Sequence, residues 1–576
     1  MSLRARLLPP WAPGYGRSQA RRDLVAGLVV VVMLVPQSLA YALLAGLPAQ
    51  AGLYASILPI VVYAAFGSSR TLAVGPVAVL SLMTASALAP LATPGSPEYA
   101  RLALLLAGLS GAILFALGVL RLGVVANLLS HPVIAGFATG SALLIIVGQL
   151  QALAAIPGTG HTALELMHAL ALNAAAFNPT SLALGSSALV LLVLAKRYAA
   201  SCLRALGLGP TAADIGMRLA PVFVVAAATV LTAVLALDLR AGVKVVGSIP
   251  QGLPALAWSL PDAASLRALL LPAAAIALVG FVESVSVAQS LALKRQERID
   301  ANRELLGLGA ANLAAAAAGG MPVTGGFSRT VVNDAAGAQS PLAGVVAALT
   351  MLGVVTTMSG AFEKLPICVL AATIIVPTSS LVDLAALRRA WRYARADGLA
   401  FALTALGVVA AGVEVGIALG LLLSLTTVVW QASRPHIAIV GRVPGTEQFR
   451  NVNRVAVETL PHVLALRVDE NLFFGNVPAV EVELQRALVA RPATSDVLLV
   501  MSSVSAIDMT ALERLEELNR TLAARGMRLH LCDLKGPVRD RLRRSRLFED
   551  LSGREFRFAH EAFDALAADA RSAMPA

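Results

Sequence analysis

The chain has 576 residues, of which 57% are hydrophobic and only 14% are charged. Apolar runs of about twenty residues recur along it, which excludes an ordinary soluble protein and indicates a polytopic α-helical membrane protein. The formal net charge of +11 comes from short basic clusters between apolar runs, as the positive-inside rule describes, so we expect a lipid bilayer and no nucleic acid as partner.

Residues 1–23 are basic and rich in proline and glycine, and the apolar segment after them has no small-residue cleavage site. We therefore predict a cytoplasmic N-terminal tail rather than a cleaved signal. Residues 24–434 are predicted to be a transmembrane domain with about fourteen hydrophobic segments. Their approximate starts are Leu24, Gly52, Pro76, Leu102, Pro132, Leu182, Pro221, Leu266, Leu305, Phe327, Leu342, Leu365, Leu399 and Gly412. Basic residues in alternate loops place both chain ends in the cytoplasm.

The first apolar segment contains an unusual polar stretch, VPQSLAYALL. A proline is followed by Gln37, Ser38 and Tyr41, which share roughly one helix face. Such a face would be unfavourable in lipid, so we expect it to point inward. It would then bind a substrate or, alternatively, join neighbouring helices through hydrogen bonds.

Two further segments each join an extended stretch to a helix too short to span the membrane: residues 69–82 and 321–344. Gly75 and Pro76 favour a helix start, and Gly325 with Gly326 allows a bend before Phe327. Fourteen spans divide into seven plus seven, which requires inverted repeats. Interrupted segments at corresponding places in two repeats point to a transporter's midplane site, and the alternative is two surface loops followed by ordinary helices.

Glu283 lies about half-way along the apolar run 273–293. An ionised carboxylate is expensive there, so an intramembrane acid is a functional hypothesis by default. Protonated Glu283 would let a dianion bind nearby, and ionised Glu283 would repel it. Binding of the anion would then require a coupling proton. The alternative is a fixed ion pair with Arg329.

The composition becomes that of a soluble protein after residue 431. We predict a linker at 435–450 and a cytoplasmic domain at 451–576. Candidate strands at 463–468, 496–502 and 528–534 alternate with candidate helices at 478–489, 509–525, 537–544 and 560–567. This alternation predicts a small, partly parallel α/β sheet.

No motif of an enzyme or a metal protein accompanies these features. The three cysteines form no CxxC pair, the seven histidines form no HExxH motif, and there is no GxxxxGK[ST] sequence. We therefore expect no catalytic residues, no metal and no cofactor, and we do not expect an enzyme.

Four stretches in order resemble the SulP family of sulfate permeases and related anion transporters, including prestin and pendrin. They are PQSLAYALLAGLPAQAGLYAS, GSSRTLAVGPVAVLSLM, VGFVESVSVAQSLALKRQERIDANRELLGLGAAN and GGFSRTVVNDAAGAQSPLAG. The C-terminal domain is similar to STAS. The resemblance implies a core domain (spans one to four and eight to eleven) that moves against a gate domain.

By this resemblance the anion lies between the N-termini of half-helices in spans three and ten, and an interrupted first span lines the site. The implied substrate-binding residues are Gln37, Tyr41, Val74, Gly75, Pro76, Val77, Ser328 and Arg329. Glu283 is implied in ion coupling, and its being a glutamate favours the proton. Two facing helix N-termini form an anion seat without a full cation, from which the ligand can also leave.

These observations predict a secondary active transporter that takes up sulfate with protons by elevator-type alternating access. A C4-dicarboxylate or bicarbonate is the alternative substrate, and an anion sensor signalling through the STAS domain is the alternative of another class. We expect the bacterial cytoplasmic (inner) membrane, and the resemblance implies a homodimer held together by the STAS domain. In that domain Asp508 and Thr510 match a regulatory loop that can be phosphorylated, although Asp508 is equally suited to cap a helix.

Overall fold

The fold comes from a computed structural model, which describes residues 11, 15–124, 130–158, 160, 162–207, 209–249, 252 and 262–572. Most of the predicted tail, namely residues 1–10 and 12–14, lies outside the described residues, as do residues 573–576 of the predicted STAS domain. The chain divides into two compact units, Met1–Ser424 and Leu425–Ala576.

The larger unit is helical, and a helix lies in each of the fourteen predicted segments. Eight helical stretches of the described residues are long and apolar enough to cross a membrane. The helices are α1 Arg17–Leu44, α2 Ala49–Tyr54, α3 Leu58–Phe66, α4 Ala78–Leu88, α5 Pro97–Val119, α6 His131–Ala154, α7 Ala163–Leu172, α8 Pro179–Leu194, α9 Ala200–Ala205, α10 Pro210–Leu235, α11 Leu237–Arg240, α12 Ala263–Arg295, α13 Ala301–Ala317, α14 Phe327–Ala335, α15 Leu342–Thr357, α16 Ile367–Thr378, α17 Leu384–Tyr393, α18 Arg395–Ala411 and α19 Val413–Ala432.

The first span is continuous, so the prediction of an interrupted first span is wrong. Helix α1 runs through Pro36 without a break. Proline removes one backbone hydrogen bond, to the carbonyl of Val32. A membrane helix tolerates this loss where neighbouring helices pack around it, and Leu34 and Leu39 on either side of Pro36 are fully buried.

The third and tenth predicted segments hold two short helices, α4 with 11 residues and α14 with 9 residues. A two-residue strand precedes each of them, β1 Val74–Gly75 and β2 Thr324–Gly325, and the two strands pair antiparallel. The helix of the third span starts later than predicted. Pro76 is not its first helical residue, because Val77 is the helix cap and α4 begins at Ala78.

The smaller unit is an α/β domain, which confirms that part of the predicted fold. Its strands are β3 Ile437–Arg442, β4 Phe449–Asn451, β5 Val463–Val468, β6 Asp496–Val500, β7 Arg528–Cys532 and β8 Glu555–Phe556, and its helices are α20 Val477–Ala490, α21 Met509–Ala524, α22 Gly536–Leu542, α23 Arg546–Glu549 and α24 Ala559–Ser572. The six-stranded sheet has the order β4-β3-β5-β6-β7-β8, in which β5 to β8 are parallel. The range 435–450 is not a bare linker, because β3 lies within it and pairs with both β4 and β5.

A buried charge cluster joins β6 to β7. The carboxylate of Asp496, which is 0% exposed, accepts hydrogen bonds from Arg528 at 2.7 Å, His530 at 2.9 Å and Ser495 at 2.6 Å. Burial alone would raise the pKa of Asp496, but the hydrogen bonds from His530, Arg528 and Ser495 outweigh burial and lower it. The ionised carboxylate therefore stabilises the folded domain above its unfolded pKa, and this stability is lost as the pH falls through the folded pKa.

We expect Asp496→Asn to destabilise the α/β domain by about 2 kcal/mol at pH 7, the scale of a lost charged hydrogen bond. The difference from the unchanged protein should shrink under strongly acidic conditions, where the wild-type carboxylate is protonated. Labelling of the buried Cys532 thiol during urea unfolding reports on this domain once Cys202 and Cys368 are replaced. Asp564→Asn, at an exposed ion pair, is the control and should have little effect. Equal effects of the two variants would contradict this role of Asp496.

Candidate functional site

A small cavity in the larger unit, the anion cavity, brings together most of the residues predicted to bind substrate. It has a volume of about 70 Å³, and its lining includes Gln37, Tyr41, Val77, Ala78, Val79, Glu283, Gly326, Phe327, Ser328, Arg329, Pro377, Thr378, Ser380 and Leu381. A cavity needs roughly 10–15 Å³ to hold one water molecule. The anion cavity therefore has room for a compact ion.

Two helix N-termini face this cavity. Val77, Ala78 and Val79 are the cap and first two residues of α4, and α14 contributes its cap Gly326 and its first three residues. The first N–H groups of a helix have no intrahelical acceptor, and the helix dipole adds partial positive charge there. Both ends therefore favour a negatively charged ligand in the space between them.

Hydrogen bonds hold the two N-termini side by side. The backbone N–H of Ala73 donates to the Thr330 hydroxyl at 3.0 Å, and the N–H of Gly326 donates to the carbonyl of Ala73 at 3.1 Å. The Ser284 hydroxyl of α12 accepts from the N–H of Gly325 at 2.8 Å. The Asn312 amide of α13 donates to the carbonyl of Val323 at 2.8 Å. These bonds join α12, α13, α14 and the strand pair into one framework.

Arg329 is the cation of this cavity. It is 2% exposed, and its Nη1 donates to the carbonyl of Pro76 at 2.7 Å. Its Nε and Nη2 are buried without a hydrogen-bond partner. A Cβ on Gly326 or on Gly75 would lie only 3.0 Å or 3.2 Å from Nη2, so a larger residue at either position would force the guanidinium to shift by a few tenths of an ångström. An uncompensated buried charge is strongly unfavourable, which favours a bound anion here.

Glu283 borders the same cavity from α12 and forms no ion pair with Arg329. Its Oε2 is buried without a hydrogen-bond partner, and the guanidinium donates its hydrogen bond to the carbonyl of Pro76 instead. The alternative of a fixed Glu283–Arg329 ion pair is therefore wrong for this structure. The adjacent Ser284 binds β2, so α12 positions the acid against the cavity and supports the strand pair with consecutive residues.

The polar stretch of α1 divides between two roles. Gln37 and Tyr41 border the anion cavity. Ser38 instead shares a hydrogen bond of 2.7 Å with Ser56 in a fully buried contact. The inward-facing hypothesis thus describes Gln37 and Tyr41, whereas Ser38 joins α1 to the turn between α2 and α3.

Three of the residues predicted to bind substrate do not line the cavity. Val74 and Gly75 form the strand pair, and Pro76 accepts the hydrogen bond from Arg329. These three residues hold β2 and Arg329 in position without lining the cavity themselves. Val77, Ser328 and Arg329 do line it.

The opposite wall of the cavity, which was not predicted from the sequence, comes from the end of α16 and the turn after it. Pro377, Thr378, Ser380 and Leu381 border the cavity there. The signal was present in the segment VPTSSL, where a proline in an apolar run is followed by hydroxyl side chains. The same kind of pattern, VPQS, identified Gln37.

Two larger cavities adjoin the anion cavity. The vestibule, of about 240 Å³, shares Gln37, Ser328 and Ser380 with the anion cavity and also borders Lys196. The apolar cavity, of about 190 Å³, shares Val79, Glu283 and Leu381 with it. Lys196 lies in a π-helical turn, Ala195–Ala199, an irregularity often found at functional sites.

In the α/β domain the two predicted regulatory residues lie at the start of α21. The Asp508 carboxylate accepts from the N–H of Ala511 at 2.8 Å and from the N–H of Phe474 at 2.9 Å. Asp508 is therefore the helix cap that the alternative predicted. Thr510 is exposed, and its phosphorylation remains a prediction.

Comparison with known proteins covers nearly the whole chain. Residues 21–404 match the model of the sulfate permease family, and residues 454–562 match that of the STAS domain. A probable sulfate transporter of Mycobacterium tuberculosis is 34% identical over 550 residues, which cover 94% of this chain and 95% of that protein. A chloroplastic sulfate transporter of Arabidopsis thaliana, sulfate transporter 4.1, is 33% identical over 549 residues, 93% of this chain and 78% of that protein.

Solved structures share the fold. The murine solute carrier 26 family member A9 anion transporter, in an inward-facing state, has a TM-score of 0.88 at 24% identity, and the match covers 98% of this chain and 94% of that chain. The transmembrane domain of the cyanobacterial bicarbonate transporter BicA has a TM-score of 0.58 at 20% identity, covering 71% of this chain and 98% of that chain. These matches confirm the predicted architecture of a helical membrane domain followed by a STAS domain.

Proposed function

Because the chain belongs to the sulfate permease family, we propose that this multi-pass membrane protein takes up sulfate together with protons. The buried guanidinium of Arg329, which has two donors without partners, is the observation that carries the proposal. Together with the N-termini of α4 and α14, it gives the cavity donors and positive charge for a small anion. The names of the similar proteins favour sulfate over other anions.

Glu283 is the residue we propose for the coupling proton. Its carboxylate borders the cavity that Arg329 also lines, so an ionised Glu283 and a bound dianion would repel each other at close range. Protonation of Glu283 removes this repulsion. Anion and proton would therefore bind together and leave together, which is symport.

Alternating access would follow an elevator scheme. The hydrogen bonds among α12, α13, α14 and the strand pair support movement of these elements as one body. The opposite wall, from α16 and its following turn, contributes Pro377 and Leu381 without a charged group. Sliding of the framework past this wall would carry the anion from one side to the other. We further propose that the chain works as a homodimer in the bacterial cytoplasmic membrane, with both termini in the cytoplasm.

Uptake into proteoliposomes tests this function. We expect labelled sulfate to accumulate when an inward proton gradient is imposed and to equilibrate without accumulation when it is absent. Fumarate and bicarbonate serve as competitors, because a C4-dicarboxylate and bicarbonate are the alternative substrates. Uptake of a competitor but not of sulfate would keep the site and change the substrate. Absence of uptake for all three would favour an anion sensor that signals through the STAS domain.

A further inference from the structure

Phe327, the first residue of α14, stands where three cavities meet. Its side chain borders the anion cavity, the vestibule and the apolar cavity. Of the described residues that line the vestibule and the apolar cavity, Phe327 is the one that lines both. The residue is 53% exposed. Phe327 therefore lies at the junction of these three spaces.

The spaces that it separates differ in chemistry. The vestibule offers polar groups from Gln37, Ser328 and Lys196. The apolar cavity is lined mainly by aliphatic side chains such as Val133, Ile134 and Val282. This space, of about 190 Å³, offers an anion few polar partners. An apolar ring at the junction would disfavour entry of an anion into a space where its charge is poorly solvated.

We propose that the Phe327 ring sets the largest anion that the site accepts. The inference rests on the proposed function, since it concerns the same cavity. With the ring in place the site is a space of about 70 Å³, which suits a compact dianion such as sulfate. Without it, the anion cavity opens into the vestibule of about 240 Å³, and the polar groups there can solvate a second carboxylate. An elongated dianion would then fit.

Competition binding with the purified full-length protein tests this. Fumarate and sulfate are both dianions at neutral pH and differ mainly in length, so the ratio of their dissociation constants reports size selection rather than charge. We expect this ratio, fumarate over sulfate, to fall at least tenfold in Phe327→Ala and by less in Phe327→Leu. Phe137→Ala is the matched control, because Phe137 borders the apolar cavity but not the anion cavity, and its ratio should equal that of the wild type.

The outcomes distinguish failure of this inference from failure of the proposed function. An unchanged ratio in Phe327→Ala, or an equal fall in Phe137→Ala, would show that the ring does not select for size. If Phe327→Ala does not fold, the milder Phe327→Leu carries the same comparison. Wild-type protein that binds neither dianion would overturn the proposed function, whereas wild-type protein that binds sulfate with unchanged ratios in the variants would overturn this inference alone.

Discussion

Replacing Arg329 with alanine should weaken sulfate binding about 10- to 100-fold. The expectation follows from the loss of charged hydrogen bonds to the anion, each worth about 1.5–3 kcal/mol. Nε and Nη2 are buried without a partner, so these donors are available to a ligand. The measurement is equilibrium binding of sulfate to purified protein, with the apparent affinity of proteoliposome uptake as a second reading.

The hydrogen bond from Arg329 to Pro76 gives the side chain a structural role as well, which requires a control. Asn333, one turn along α14, makes an equivalent bridge, because its amide donates to the carbonyl of Thr71 at 2.8 Å. It does not border the anion cavity. We expect Asn333→Ala to lower thermal stability while leaving sulfate affinity within a few-fold of the wild type. A loss of affinity as large as that of Arg329→Ala would mean that Arg329 acts through the framework rather than on the anion.

Replacing Glu283 with glutamine should abolish accumulation of sulfate against its gradient while leaving binding largely intact. Glutamine resembles protonated glutamic acid in shape and charge but cannot release a proton. The anion would still be attracted by Arg329 and the two helix N-termini, and exchange of labelled for unlabelled sulfate should continue. Uptake driven by an inward proton gradient is the measurement, and exchange without a gradient shows that the variant is folded and active.

Ser286→Ala provides a matched control for Glu283. Ser286 lies on the same helix one turn later and borders the apolar cavity with Glu283, but it carries no titratable group. This variant should accumulate sulfate as the wild type does. If Glu283→Gln still concentrates sulfate on a proton gradient, the coupling assignment is wrong. A loss of exchange as well as accumulation would instead place Glu283 in anion binding.

The features of this protein that depend on local composition could be predicted from the sequence. Apolar runs predicted the helical segments, and strand–helix alternation predicted the α/β domain. Both predictions are possible because the hydrophobic period of an element is visible within ten to twenty neighbouring residues. Prolines and polar groups inside apolar runs singled out Gln37, Tyr41 and Glu283, since such groups are costly in a membrane. The resemblance to the sulfate permease family then implied that these residues take part in anion binding and ion coupling.

Which of these residues lie together in one site could not be predicted from the sequence. The strand pair joins residues 74–75 to 324–325, and Arg329 reaches Pro76 across 253 positions of sequence. No local pattern encodes such a contact, because it depends on how two distant short helices pack. The same packing paired Ser38 with Ser56, brought Pro377 to the opposite wall and placed Phe327 between three cavities. Composition thus determined which elements form, and the packing of remote helices decided the shape of the site.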